Sequence, residues 1–286
     1  GGYWAWDPVE NSSLVPWLVL VAGAHLLLIN KAKPGTAVTA TYLMIALGFL
    51  LVVYSTFLTK SGILGDTSVH SFVDSGILPQ LLGFLLGCCA LLCTLILPPG
   101  RERLVFGALQ AVLAVGIAVA NPALCTLGLL LVMGLAVLRG HLKNLPRTDT
   151  ESPIWTREFW MFVGGMLMFA SAVHISFQTS LPVFNHFLEP FSGWFDRLYQ
   201  STGRDLARKL AAHDLAPGTD FDATYHAIQV PLAFLFISIT AFTQYLRYKS
   251  NSGKGLFLKL LRSLLSAGVV TAIVTWNYGF EAWEAP

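Results

Sequence analysis

Eight runs of mostly apolar residues, each about as long as a bilayer is thick, constrain this chain more than any other feature. They cover residues 14–30, 38–59, 78–97, 104–120, 122–138, 159–181, 229–246 and 257–276. A helix needs roughly 20 such residues to cross the hydrocarbon core. A spanning segment must also satisfy its own backbone hydrogen bonds. Runs of this length predict helices, so the expected fold class is an all-α polytopic membrane bundle of about eight transmembrane helices. Only 12% of the residues are charged, against about 25% in soluble domains, which excludes a soluble globular chain. The net charge of +2, with no basic cluster, gives no footing for a nucleic-acid partner; membrane lipid is the expected surrounding.

The positive charges orient the bundle. Thirteen of the 18 Lys and Arg fall in the alternate loops and helix ends on one side, from Lys31 and Lys33 through Arg101, Arg139 and Arg157 to Arg247 and Arg262. Short loops rich in Lys and Arg stay cytoplasmic. The N-terminal stretch, the loop around His70, residues 182–228 and the C-terminal tail are then expected to face outward. Four regions follow: an outward platform at 1–13, a bundle at 14–181 carrying the His70 loop, an outward amphipathic segment at 182–228, and a transmembrane pair with its tail at 229–286. Asn121 and Pro122 leave room only for a tight turn, so the fourth and fifth spans are expected to form a hairpin.

The platform is the chemically unusual part. In GGYWAWDPVENSSLVPWL (residues 1–18), Tyr3, Trp4, Trp6 and Trp17 crowd flat apolar faces beside Asp7, Glu10 and Asn11. Asp7, Pro8 and Glu10 read as an N-cap, an N1 proline and an N3 acid, so a helix starts here above the first apolar run. Indoles beside a polar edge suit a membrane interface, and they suit equally a flat, partly charged ligand lying there.

The run WAWDPVEN followed by PWL resembles the tryptophan-rich WWD signature of the haem-handling membrane proteins of cytochrome c maturation, the CcmF/NrfE, CcmC and CcsA group. Tyr3 stands where that family usually has another Trp. The resemblance implies a function in cytochrome c maturation: binding haem at an outward tryptophan-rich site and positioning it for thioether attachment to the CxxCH motif of apocytochrome c. The implied partners are apocytochrome c together with the haem chaperone and thiol-reducing proteins of the maturation system. The implied membrane is a bacterial-type inner membrane, with the haem site on its periplasmic face. Eight spans after the signature, and the REFW of Arg157–Trp160, favour a CcmF/NrfE-type haem lyase over a haem exporter or carrier of the CcmC or CcsA kind. Because the family carries spans ahead of the signature, a further N-terminal part, removed or on a separate chain, is expected. A transporter or structural subunit with anchoring aromatics is the reading from another class.

Seven histidines supply the candidate iron ligands. His25 lies in the first span, on one face with Trp17 and Val21, and an intramembrane His is a functional hypothesis by default. The resemblance implies that it binds a second, transmembrane haem b. His70 lies in GDTSVHSFVDSG, where Asp66 or Thr67 is expected to cap a short helix ended by Gly76, with Asp74 placed to orient the imidazole. The similarity of Ser61–Phe72 to the family's SGxLxSVHxF-like string implies an axial ligand at His70. His186, after TSLPVFN, is the expected second outward ligand, with His226 in DATYHAIQVP as its runner-up. His174 reads as a satisfied core histidine, and His141 and His213 receive no role. The haem-binding set is therefore His70, His186 and His25 on iron, with Tyr3, Trp4, Trp6, Asp7 and Trp17 around the ring. Cys88, Cys89, Cys93 and Cys125 form no CxxC or CxxCH motif and read as buried structural thiols. No side chain is expected to act as a nucleophile or acid–base catalyst. In 182–228, Phe191, Trp194, Phe195 and Leu198 repeat with helical spacing, an amphipathic helix expected to cover the bundle, lie at the membrane surface or dock a protein.

Overall fold

The computed structural model describes residues 4–65, 67–68, 70–73, 76–145, 153–212, 215, 220–247 and 253–278. Among them the regular structure is helical throughout, in agreement with the expected membrane bundle. The helices are α1 (Pro8–Ala32), α2 (Val38–Lys60), α3 (Leu78–Leu95), α4 (Arg101–Val119), α5 (Pro122–Arg139), α6 (Arg157–Thr179), α7 (Leu181–Leu188), α8 (Ser192–Thr202), α9 (Asp205–Ala211), α10 (Phe221–Thr243) and α11 (Gly253–Tyr278). Eight of them, all but α7, α8 and α9, are long and apolar enough to cross a membrane. The chain is an integral membrane protein.

Several helices begin before their apolar runs, α1 and α10 by the most. Helix α1 starts at Pro8 because the Asp7 carboxylate accepts the Val9 amide at 2.8 Å. Helix α10 starts at Phe221, where Asp220 accepts the amide of Ala223 at 2.9 Å. Each cap satisfies an otherwise orphaned amide and so adds turns that hydropathy alone does not register. The boundary expected at 228 falls inside α10, and that expected at 181 falls inside α7. The hairpin is present: the Asn121 side chain caps α5 through the Leu124 amide at 3.0 Å, and Glu102 pairs with Arg139 at the far end.

The centre of the bundle is α1, held between α2 and α6. Val15, Leu18, Val19 and Ala22 pack against Met168, Ala172 and Ile175 of α6 and Tyr225 of α10. Small residues let these backbones approach, as membrane helices require. A Cβ on Gly48 of α2 would lie 2.5 Å from a methyl carbon of Leu20. The Leu20 side chain is partly exposed and yields to a single methyl, but a branched residue would push α1 and α2 apart. Gly48→Val is expected to lower stability by about 1–3 kcal/mol through overpacking, read as a lower thermal midpoint in detergent, whereas Gly48→Ala stays near the parent. Equal behaviour of the two variants would refute this close approach. The four cysteines are free and only partly buried, not enclosed as the sequence reading expected.

Candidate functional site

One end of the bundle gathers the start of α1, the end of α2, the 61–77 loop, the end of α6 and the start of α10. The organising piece is the dipeptide Trp6–Asp7. Trp6 has φ +55°, a conformation that costs a bulky L-residue about 1–3 kcal/mol and persists only where its surroundings over-determine it. Three contacts do so. Its ring stacks on Tyr225 at 4.6 Å with the planes 1° apart. Its indole N–H donates to Nε2 of His226 at 3.2 Å. Its carbonyl accepts from the Asn11 amide at 2.9 Å.

Asn11 and Tyr225 anchor this turn from below. Asn11 is fully buried and Tyr225 is 1% exposed. The Asn11 amide also lies 3.2 Å from the Tyr225 hydroxyl and 3.4 Å from the Thr179 hydroxyl. Trp4 meets Trp6 edge-on at 6.3 Å, and its indole N–H is buried without a hydrogen-bond partner among the described residues. Sequence singles out Asn11 only as part of the polar edge beside the aromatics, and does not single out Tyr225 or Thr179. Their only local signal is position: Asn11 one turn after the cap, Tyr225 beside His226.

Asp7 does more than cap α1. The same Oδ1 that accepts the Val9 amide accepts the Ser68 hydroxyl at 2.8 Å and stands 3.5 Å from Nδ1 of His70. The Ser68 hydroxyl in turn accepts the His70 amide at 3.1 Å. The loop is tied down again where the Phe72 amide donates to the Thr59 carbonyl at 3.0 Å and the Lys60 ammonium sits over the Phe72 ring. A carboxylate on Nδ1 favours the tautomer that presents Nε2 as a lone-pair donor. His70 is 56% exposed, so that nitrogen is accessible. Among the described residues the carboxylate beside His70 is Asp7; Asp74, the expected one, and Asp66 lie outside them. The described part of this loop forms turns and bends in place of the expected capped helix, because its polar groups are satisfied by α1 and α2.

The remaining candidates sit as follows. His226 is on the platform through Trp6. His186 is exposed on α7, its ring meeting the edge of Phe187 at 5.3 Å. Trp17 is 56% exposed on the flank of α1, ten residues and thus about 15 Å along the helix from Asp7. Tyr3 and His213 lie outside the described residues. His174 is only half satisfied: Nδ1 takes the Gln229 amide at 2.9 Å, while Nε2 is buried without a partner among the described residues. His25 donates Nδ1–H to the Val21 carbonyl at 2.8 Å, so Nε2 is the ring nitrogen left to act as a ligand. It lines a cleft of about 280 Å³ between α1, α6 and α10, together with Arg157, Trp160 and Gln244. His25 is level with Gly165 of α6, nine residues and about 13 Å along that helix from His174, so the two imidazoles occupy different depths. His141 bonds Thr39 at 2.8 Å at the opposite end of the bundle.

An apolar shelf with imidazoles on its flanks can hold a flat aromatic macrocycle and its metal. Residues 1–64 match the family model described as cytochrome C assembly protein. The chain is similar to the cytochrome c-type biogenesis protein CcmF of Haemophilus influenzae, 49% identical over 74 residues, covering 26% of this chain and 11% of the relative. It is similar to NrfE of the same organism, 47% identical over 72 residues, covering 25% and 11%. A longer alignment with CcmF of Escherichia coli is 29% identical over 183 residues, 64% of this chain and 21% of the relative. The chain thus aligns with only a tenth to a fifth of these relatives' lengths. No solved structure matches it. Residues 1–64, which build the shelf and the helices beneath it, are thus similar to the cytochrome c assembly proteins, CcmF and NrfE among them.

Proposed function

We propose that the platform end binds haem during cytochrome c maturation, on the outward face of the membrane, and presents it to the CxxCH segment of apocytochrome c. The observation that carries this reading is that two adjacent residues, Trp6 and Asp7, hold two imidazoles from distant parts of the chain, His226 and His70. Haem is an apolar disc whose iron takes axial nitrogen donors. Trp4 and Trp6 would bury one face or edge of the disc. His70, already oriented by Asp7, is the ligand ready to bind. His226 spends its Nε2 lone pair on Trp6, so its use as a ligand through that atom requires Trp6 to release it; His186 on α7 is the other outward imidazole. Lys60, held over Phe72, supplies a positive charge beside the loop for a propionate.

The bound substrate haem brings vinyl groups that add the thiols of apocytochrome c, and the protein contributes orientation and proximity. Haem chaperone and thiol-reducing proteins of the maturation system are the partners in this reading. His25, with its Nδ1 fixed by Val21, offers a donor for a second haem b in the α1–α6–α10 cleft, where Arg157 supplies a cation.

The test is a reduced-minus-oxidised spectrum with pyridine haemochrome quantification on protein purified from membranes supplied with haem. His70→Ala is expected to reduce outward haem by about 10-fold or more, in the range of losses seen when a metal site is disturbed. His25→Ala should remove a separate b-type signal while leaving the outward one. Unchanged haem in both His70→Ala and Trp6→Ala would remove the basis for the haem site, and an interfacial anchor would then be the better description of the aromatic turn.

A further inference from the structure

The outward segment does not cover the bundle with its aromatic face. Phe184 and Phe187 of α7, Phe191 just before α8 and Trp194 in its first turn are all exposed, Phe191 and Trp194 by more than half. They recur at intervals of three and four residues, so they form one stripe along α7, the 3₁₀ turn at Glu189–Phe191 and α8. The opposite side is polar and used. Asp196, Arg197 and Gln200 are exposed there, and Asn185 exchanges two hydrogen bonds with the Leu215 backbone at 2.8 and 3.1 Å. Leu215 therefore lies on the polar side of α7, and the aromatic side is exposed among the described residues.

What meets that side follows from the chain's path. Only Ser180 separates the end of the spanning helix α6 from α7, so α7 emerges at the depth of the headgroups. Phe177, in the last turns of α6, is more than half exposed, as a lipid-facing residue is. Its ring contacts that of Phe184 at 5.9 Å. The lipid-facing surface of the span thus continues without a break onto the stripe. Aromatic residues on one side and charges on the other are the pattern of a helix lying in the interface.

We propose that Phe184, Phe187, Phe191 and Trp194 are seated in the headgroup–acyl boundary of the leaflet at which α6 ends, so that α7 and α8 lie along the membrane. The occupant of the stripe is lipid. One consequence concerns His186: at 100° per residue it lies well around α7 from both Phe184 and Phe187, so seating the stripe turns this imidazole away from the lipid.

The experiment uses the full chain in nanodiscs. Lipids brominated near the top of the acyl chain quench nearby indoles, and the Trp194→Phe variant isolates the contribution of Trp194. The expected result is that the Trp194 component loses most of its intensity in brominated nanodiscs and responds weakly to aqueous acrylamide. Strong acrylamide quenching without lipid quenching would overturn the proposal in favour of a solvated arm. Protection from both quenchers would overturn it in favour of a second copy or another protein on the stripe. A Phe191→Asp, Trp194→Asp double variant provides an independent readout. Seated in lipid, the parent resists trypsin at Arg197, and the variant should be cut faster; identical cleavage rates would also overturn the proposal.

Discussion

Truncating Tyr225 to alanine is expected to destabilise the protein by about 3–5 kcal/mol, the range for removing a large buried aromatic side chain. Tyr225 is 1% exposed and packs in the central cluster with Val15, Val19 and Ile175. Its ring carries the stacked face of Trp6 at 4.6 Å, and its hydroxyl lies within 3.4 Å of both Asn11 and Thr179. Removing the side chain therefore opens a cavity, strips Trp6 of the contact that offsets its left-handed backbone, and leaves a buried amide short of a partner. Tyr225→Phe separates these effects. It keeps the ring and the stack and loses only the hydroxyl, for about 1–3 kcal/mol. Thermal unfolding of both variants in one detergent gives the ratio. Equal losses would mean that the hydroxyl network, not the ring, holds α10 to the platform, and the stacking argument would be wrong.

The second large effect is at Asp7, where one carboxylate oxygen serves the helix cap, the Ser68 hydroxyl and the His70 imidazole. Asp7→Ala removes all three. Losing the cap alone costs about 0.5–2 kcal/mol, and losing the group that orients a metal-binding imidazole lowers site affinity about 10- to 100-fold. Asp7→Ser dissects the two roles. A serine hydroxyl caps a helix nearly as well as a carboxylate, yet it carries no charge to favour the Nε2-presenting tautomer of His70. The serine variant should therefore keep the parent's thermal midpoint while losing outward haem as the alanine variant does. Full haem retention in Asp7→Ser would show that Asp7 acts only as a cap, and another partner would then have to orient His70.

The legible parts of this molecule were those written within a few residues of one another. The spans follow from unbroken apolar composition over a bilayer's width. The start of α1 follows from Asp7, Pro8 and Glu10, and the α4–α5 hairpin from Asn121 and Pro122, because caps and tight turns act over two to four positions. The aromatic turn was legible in the same way, as a string. Harder to read were places where a local rule competed with a distant partner. The His70 loop carries helix-capping residues, but its Ser68 and Phe72 are satisfied by α1 and α2 instead. The aromatic stripe of α7 and α8 has a core-like spacing, and only the fold shows that the bundle does not cover it.

By itself the sequence determined the membrane class, the number of crossing helices and the chemistry gathered at the N-terminal turn. Tertiary structure alone decided which histidines reach that turn. Trp6 and His226 are 220 residues apart, Asn11 and Tyr225 are 214 apart, and Asp7 and Ser68 are 61 apart. Such pairings are absent from any local pattern, because they arise only when α1 packs against α2, α6 and α10. That packing also joins Asp7, a helix cap by local rules, to the loop imidazole it orients.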